Sequence, residues 1–169
     1  MELTDINELK KLLSRCGFSF SKALGQNFIT DPSVCPRMAE LADIKPEDGV
    51  IEIGPGVGVL TVELAKKAKK VVSIELDTRL IPVLAKTLDG CLNVQVLNQD
   101  ILKTDLSALL AEHFPGQRVH ICANLPYYIT SPIIMYILES RLPVESLTLM
   151  VQKEAGDRLC APVGSRDSG

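Results

Sequence analysis

The sequence predicts an α/β fold, an open and mostly parallel sheet with helices on both faces. Three observations carry this. Five short apolar segments, 50–53, 71–76, 94–98, 119–123 and 147–151, alternate with stretches of helical character. Right-handed crossovers through those helices lay a parallel sheet between two helical layers, which is why its strands read as unbroken apolar runs. A glycine-rich turn, Gly54-Pro55-Gly56-Val57-Gly58, directly follows the first strand. Finally, 169 residues with 46% apolar side chains can bury one substantial core and form one domain.

Ahead of the alternation a helix is expected over 6–16. Asp5 and Glu8 make a capping box, Leu9, Leu12 and Leu13 share a face, and Gly17 stops it. Residues 18–30 are rich in Ser, Gly and aromatics without a period and read as a loop. Asp31-Pro32 opens a second helix as N-cap and first-turn proline, which Pro36 fits only if it still lies in the opening turn. After the strand 50–53 come a helix over 58–67, the strand 71–76, and a helix capped by Asp77 that reaches residue 88. The strand 94–98, a helix over 106–114 and the strand 119–123 follow. Ser131-Pro132 caps a helix to residue 139, the fifth strand is 147–151, and a last helix spans 153–160. Residues 161–169 read as a tail. A sheet truncated after the fifth strand leaves that strand as an apolar, unprotected edge. We therefore expect a piece of the natural protein to be absent, and the edge to permit self-association.

Net charge is −3, which argues against binding nucleic acid through bulk charge but leaves room for a local basic patch. Basic residues do gather early, because Lys10, Lys11, Arg15 and Lys22 all precede Asp31. Cys16, Cys35, Cys91, Cys122 and Cys160 are scattered, with no Cys-x-x-Cys pair and no nearby histidine. An odd count at such spacing fits reduced intracellular thiols and no metal site. His113 and His120 have no partner at ligand spacing and read as surface or sheet histidines. No basic-then-apolar leader and no bilayer-length apolar run is present, so a soluble, cytoplasmic protein without membrane contact is expected.

Chemistry concentrates at the strand tips. Gly54, Gly56 and Gly58 allow a tight turn and close approach to a ligand at the carboxyl edge of the sheet. A dinucleotide fingerprint would need glycine at position 59, where Val59 stands, so the spacing suits a nucleoside better than a pyrophosphate. The plainer alternative is an ordinary βα turn. Glu75, ending the second strand, can accept hydrogen bonds from both hydroxyls of a ribose. Asp100, just past the third, can accept from an adenine amine. Each alone reads equally as a solvated carboxylate; three sites at successive tips favour the nucleoside. Asn124-Leu125-Pro126-Tyr127-Tyr128 follows the fourth strand. An amine on an aromatic ring is a poor nucleophile because its lone pair is delocalised. Two acceptors, the Asn124 side-chain oxygen and the Leu125 carbonyl, favour its pyramidalisation and aim the lone pair at a methyl donor. Pro126 fixes the direction of that carbonyl, and Tyr127 can stack on the base. Catalysis is then mainly alignment. The alternative is an Asn-Leu-Pro turn followed by packing tyrosines.

With these residues in place the chain resembles the ribosomal RNA adenine dimethyltransferases. Leu24-Gly25-Gln26-Asn27-Phe28, the segment 52–61, Glu75, Asn98-Gln99-Asp100-Ile101, the segment 124–128 and Val151-Gln152-Lys153-Glu154 match in order. The resemblance implies a Rossmann-like class I methyltransferase that uses S-adenosylmethionine to dimethylate two adjacent adenosines of small-subunit (16S) ribosomal RNA during ribosome biogenesis. By it, Gln26 and Asn27 close over the cofactor, and Phe28 also belongs to the cofactor-binding set. Gly54 and its neighbours hold the cofactor's methionine part, Glu75 binds its ribose and Asp100 its adenine, and Glu52, Gly56, Gly58, Leu76 and Ile101 complete the cofactor-binding set. Asn124, with Leu125, Pro126 and Tyr127, serves the target base, and Asn124 also borders the cofactor. The expected organisation is an N-terminal helix and cofactor-covering loop over 1–30, an incomplete methyltransferase domain over 31–160 and a tail over 161–169. The family's C-terminal helical domain has no counterpart. The partners implied are small-subunit ribosomal RNA and the pre-30S particle, and such a fragment is expected to be weakly active or inactive. Two other readings compete, a large-subunit methyltransferase of the erythromycin-resistance type and a non-catalytic RNA-binding assembly factor. A nicotinamide-dependent dehydrogenase is disfavoured by the glycine spacing.

Overall fold

The structure is a computed structural model that describes residues 3–17, 31–125 and 129–165. Gln26, Asn27, Phe28, Pro126, Tyr127 and Tyr128 lie outside the described residues, as does the loop expected over 18–30.

Five parallel strands, β1 (Gly49–Ile53), β2 (Lys70–Glu75), β3 (Val94–Asn98), β4 (Val119–Asn124) and β5 (Ser146–Met150), form one sheet in the order β3-β2-β1-β4-β5. Among the described residues seven α-helices accompany them: α1 (Ile6–Arg15), α2 (Val34–Leu41), α3 (Val59–Lys67), α4 (Ile81–Thr87), α5 (Leu106–His113), α6 (Thr130–Glu139) and α7 (Lys153–Leu159). Every expected helix and strand is present, with ends unchanged or moved by up to three residues. The Asp77 carboxylate does cap, accepting the Arg79 amide, but what it opens is a 3-10 turn (Thr78–Leu80) that leads into α4. Asp31 closes a local turn by accepting the amide and hydroxyl of Ser33, and α2 starts at Val34, so Pro36 does lie in its first turn. α6 starts one residue before Ser131, which places Pro132 in the opening turn as well.

Alternation along each strand divides the core. Ile51, Ile53, Val72, Ile74 and Ile121 face α5 and α6, meeting Leu106, Leu109, Ile133 and Ile137. Val50, Val71 and Cys122 face the other way, onto Cys35 and Met38 of α2 and Leu60 and Leu64 of α3. A third cluster seats α1: Leu9, Leu12 and Leu13 pack on Val57, Leu80, Val83, Leu84 and Leu88. Asp5 caps α1 by accepting the amides of Asn7 and Glu8. Burial of each leucine contributes about 2 kcal/mol, enough to fix a ten-residue helix that would be marginal alone. Among the described strands β5 pairs only with β4, and all five of its residues are half-buried. Met135 and Leu138 of α6 and Leu159 of α7 are exposed.

Sequence spacing missed one buried polar group. His120 is a sheet histidine, but a fully covered one. Its Nε2 lies 2.9 Å from Oδ2 of buried Asp48 and its Nδ1 lies 2.8 Å from the Ser146 hydroxyl. An ionised carboxylate only accepts, so Nε2 carries the proton. The group joins the starts of β1, β4 and β5, and Arg118 approaches Asp48 at 3.7 Å from outside.

Candidate active site

All five strands run in parallel, so their carboxyl ends share one rim. The strand order reverses direction at β1, and the crevice between the ends of β1 and β4 is the topological switch point where α/β sheets take ligands. Ile53 pairs with Ala123, so Gly54 and Asn124 each follow directly on the last paired residues of the two adjacent strands. The structure thus brings the glycine turn and the asparagine to one place.

The turn is held from two sides. Gly54 donates its amide to the Ile74 carbonyl at 2.9 Å, and Gly58 donates to Pro55 at 2.9 Å. All three glycines have positive φ, 68° at Gly54, 61° at Gly56 and 91° at Gly58, where a side chain is strained. Their surroundings differ. Among the described residues, a Cβ added at Gly54 or Gly56 would meet nothing within 4 Å, so neither turn position is packed against them. At Gly58 it would come within 3.0 Å of Leu88 and 3.2 Å of Thr87. Gly58 therefore keeps α3 close to α4, a packing duty that spacing alone does not reveal.

Glu75 is buried, and its two carboxylate oxygens accept the Gly56 amide at 3.3 Å and the Asp77 amide at 2.8 Å. Burial raises this carboxyl above its ordinary value, opposed by the Asp77 and Gly56 amides. Each oxygen keeps a lone pair for a ligand hydroxyl. Leu76 beside it is 62% exposed, a large apolar side chain at the rim. The Asn98 side-chain amide donates to the carbonyls of Glu75 (2.7 Å) and Leu76 (3.2 Å), so the tip of β3 braces the tip of β2.

Asp100 caps a 3-10 turn (Ile101–Lys103) through the Leu102 amide at 3.0 Å. Thr104 donates to its carbonyl at 2.8 Å, and the Tyr136 hydroxyl of α6 donates to the Thr104 carbonyl. Ile101 is buried beneath, while Asp100 lines an open groove of about 390 Å³ that continues along α5 past Ala108 to His113. At the tip of β4, Asn124 is half-buried and Leu125 buried. The Leu125 amide donates to the Met150 carbonyl at 3.3 Å, so β5 fixes the first peptide beyond the strand.

Glu52 sits deeper than its neighbours in the motif. It lies in β1 on the α2–α3 face, 1% exposed, and its Oε2 accepts the Ser73 hydroxyl at 2.7 Å. Burial pushes its carboxyl up to about 7, against the opposing hydroxyls of Ser73 and Thr61. Cys35 and Cys122 lie close enough to feel its charge, and burial pushes both thiols up to about 12. Ser73 and Thr61 carried no message in the sequence beyond being polar residues inside apolar elements.

The order of strands, the turn after β1 and the acidic tips of β2 and β3 define a Rossmann-like class I methyltransferase fold. The family profile described as "Ribosomal RNA adenine dimethylase" matches residues 17–169, and the chain belongs to that family. It is 48% identical over 169 residues to "Ribosomal RNA small subunit methyltransferase A" of Ligilactobacillus salivarius (strain UCC118), covering 99% of this chain and 57% of that protein. The identity to the protein of the same name from Geobacillus kaustophilus (strain HTA426) is 51%, over 95% of this chain and 55% of the relative. The chain thus spans little more than half the length of these relatives. Among solved structures, a dimethyladenosine transferase from Plasmodium falciparum superposes with a TM-score of 0.68 at 35% identity, over 82% of this chain and 48% of that one. The 23S rRNA methyltransferase ErmE gives 0.66 at 35% identity, over 76% and 49%.

Proposed function

We propose that this chain carries the cofactor site and the target-amine site of an S-adenosylmethionine-dependent enzyme that dimethylates the exocyclic amine of adjacent adenosines in small-subunit (16S) ribosomal RNA. The observation that carries the reading is the register of β1 and β4, which sets Asn124 beside the glycine turn. S-adenosylmethionine supplies a methyl group activated by a sulfonium. The turn at Gly54 and Gly56, which no described residue packs against, fits its amino-acid part, the Glu75 carboxylate fits a ribose diol, and exposed Leu76 offers an apolar shelf for adenine. Asp100 and Ile101 complete the adenine end. Glu52 acts from beneath, through the strand that ends in the glycine turn, and Gly58 through the seating of α3. Gln26, Asn27 and Phe28 cover the site in this reading.

Asn124 and the Leu125 carbonyl accept the hydrogens of the target amine and turn its lone pair toward the crevice. Pro126 and Tyr127 direct that carbonyl and stack on the base. Base stacking within a duplex would keep the amine from the rim, so the target adenosine leaves its stack to react. Small-subunit rather than large-subunit RNA is favoured by identity near 50% to proteins named for the small subunit, against 35% to ErmE. The partners are small-subunit ribosomal RNA and the pre-30S particle, in the cytoplasm. In domain terms, 1–30 holds the helix and covering loop and 31–160 the methyltransferase domain. The isolated chain is expected to transfer methyl weakly or not at all, because β5 is half-covered and the chain spans only about half of its relatives. The side of β5 that pairs with no other described strand is expected to support self-association at high concentration, which sedimentation equilibrium measures.

Calorimetric titration tests the core of the proposal. Saturable one-to-one heat is expected with S-adenosylmethionine and none with a nicotinamide dinucleotide; the reverse result overturns the reading. A primer-extension block mapped after incubation with immature small or large subunits decides between the two RNA classes.

A further inference from the structure

The two sides of α1 differ in chemistry. Leu9, Leu12 and Leu13 seat it on Val57 of the glycine turn, which borders the crevice, and on Leu80 and Leu84 beyond Glu75 at the end of the neighbouring β2. At 100° per residue, Lys11 points directly away from those leucines, with Lys10 and Arg15 on its two flanks. All three are exposed, and among the described residues no ion pair neutralises them. Lys11 and Arg15, four residues apart, stand on one stripe one turn apart.

We propose that this face of α1 is a contact surface for the RNA phosphate backbone, placed to hold the strand that delivers the target adenosine into the crevice; the inference rests on the RNA-methylating reading above. A chain of net charge −3 does not attract a polyanion as a whole, so its grip on RNA must be local. α1 carries three cations and a single acid, Glu8, within ten residues. The helix C-terminus by itself favours a cation only in the last turn, which accounts for Arg15 and not for Lys10 and Lys11 mid-helix. Lysine and arginine on an open helix face contact phosphates without reading bases, so this surface contributes affinity and orientation rather than sequence choice.

The test compares the 169-residue chain with K10Q/K11Q/R15Q and with the charge-keeping variant K10R/K11R/R15K. The probe is a fluorescein-labelled RNA hairpin with adenosines in its loop, titrated by anisotropy over a range of KCl concentrations. Neutralising the three phosphate-binding cations should lower the slope of log affinity against log salt by about 2 and weaken binding at least about tenfold at low salt. The charge-keeping variant should match the parent. Helical circular dichroism and S-adenosylmethionine calorimetry should be unchanged in all three. Equal slopes and affinities for parent and glutamine variant overturn the proposal, as does a parent that binds no RNA. So does a result in which the three cations matter for phosphatidylserine vesicles but not for RNA. Failure of the parent to bind S-adenosylmethionine instead counts against the broader functional reading, which separates the two.

Discussion

The Glu75 carboxylate accepts the Gly56 amide at 3.3 Å, so the tip of β2 is tied to the turn that ends β1. One buried side chain thus serves both as the proposed ribose acceptor and as a brace for the loop that faces the cofactor. Replacing it with glutamine keeps its shape and removes its charge. Loss of a charge-assisted bond is worth about 1.5–3 kcal/mol, so S-adenosylmethionine affinity should fall roughly ten- to a hundredfold in E75Q. Calorimetry reads this directly, and an unchanged dissociation constant would remove Glu75 from the site.

The two kinds of glycine should separate by readout. At Gly58 an alanine methyl would press on Leu88 and Thr87 in a left-handed conformation, so G58A is expected to lose about 2 kcal/mol of stability or more. At Gly56 the added methyl meets none of the described residues within 4 Å, and against them only the backbone cost of about 1 kcal/mol remains. The methyl group there enters the proposed cofactor space. G56A should therefore cost more in cofactor affinity, and G58A more in the urea midpoint. Identical profiles for the two variants would mean that the turn has a single role.

Asn124 should matter for reaction and little for cofactor affinity. If its side-chain oxygen is one of two acceptors aligning the amine, alanine at the matching asparagine of a full-length relative should lower single-turnover methyl transfer to RNA about a hundredfold or more, and N124A should abolish whatever transfer this chain retains. The dissociation constant for S-adenosylmethionine should change less than tenfold. A variant that loses cofactor binding and transfer together would make Asn124 a cofactor ligand first.

What could be read from the residues follows from how local each signal is. Short apolar runs between capped helices specify a parallel sheet, and a parallel sheet puts every strand end on one rim. Glu75, Asp100 and Asn124 could therefore be grouped before any coordinates. The parts that were not legible depend on neighbours distant in the chain. Gly58 looks like its two companions until Leu88 is seen 3.0 Å from where its Cβ would lie. His120 seems solitary because its partner, Asp48, is 72 residues away and adjacent only through the β1–β4 pairing. Likewise the Glu52–Ser73 bond exists because β1 and β2 lie side by side with those two residues in register. Polar residues inside otherwise apolar strands were the one available hint for both.

The Asp48–His120 pair should govern acid stability. Burial pushes the Asp48 carboxyl up, but the Lys45 amide, His120 and Arg118 outweigh it and hold the group below its ordinary value. An acid depressed in this way contributes stability that is present above its unfolded value and lost as pH falls through the folded one. The loss belongs below about pH 4. Replacing His120 with leucine removes the buried partner of this carboxylate, leaving it the Lys45 amide and Arg118, and should cost up to about 3 kcal/mol near neutrality. Urea midpoints from pH 3 to 7 would show it; a variant as stable as the parent at pH 7 would make the pair dispensable.

Glu52 has the opposite sign. Its carboxyl stands at about 7 in the folded chain against an ordinary value of 4.5, with burial the chief cause. Between those limits the folded state holds a proton that the unfolded chain has released, so stability is greatest below the lower value and declines as pH rises to the upper. Glu75, also raised by burial, adds to the decline in the same direction. Glutamine at position 52 mimics the protonated acid and can still pair with the Ser73 hydroxyl. E52Q measured without cofactor should match the parent near pH 4.5, exceed it by up to about 3 kcal/mol at pH 8, and keep only the part of the slope that Glu75 supplies. Since Glu52 lies in the strand that ends in the glycine turn, the same titration should loosen that turn from beneath. Cofactor affinity of the parent would then fall between pH 6 and 8, while that of E52Q stays level. A parent and variant with parallel stability curves across this range would show that Glu52 is already ionised when folded, and that its bond to Ser73 holds a charge rather than a proton.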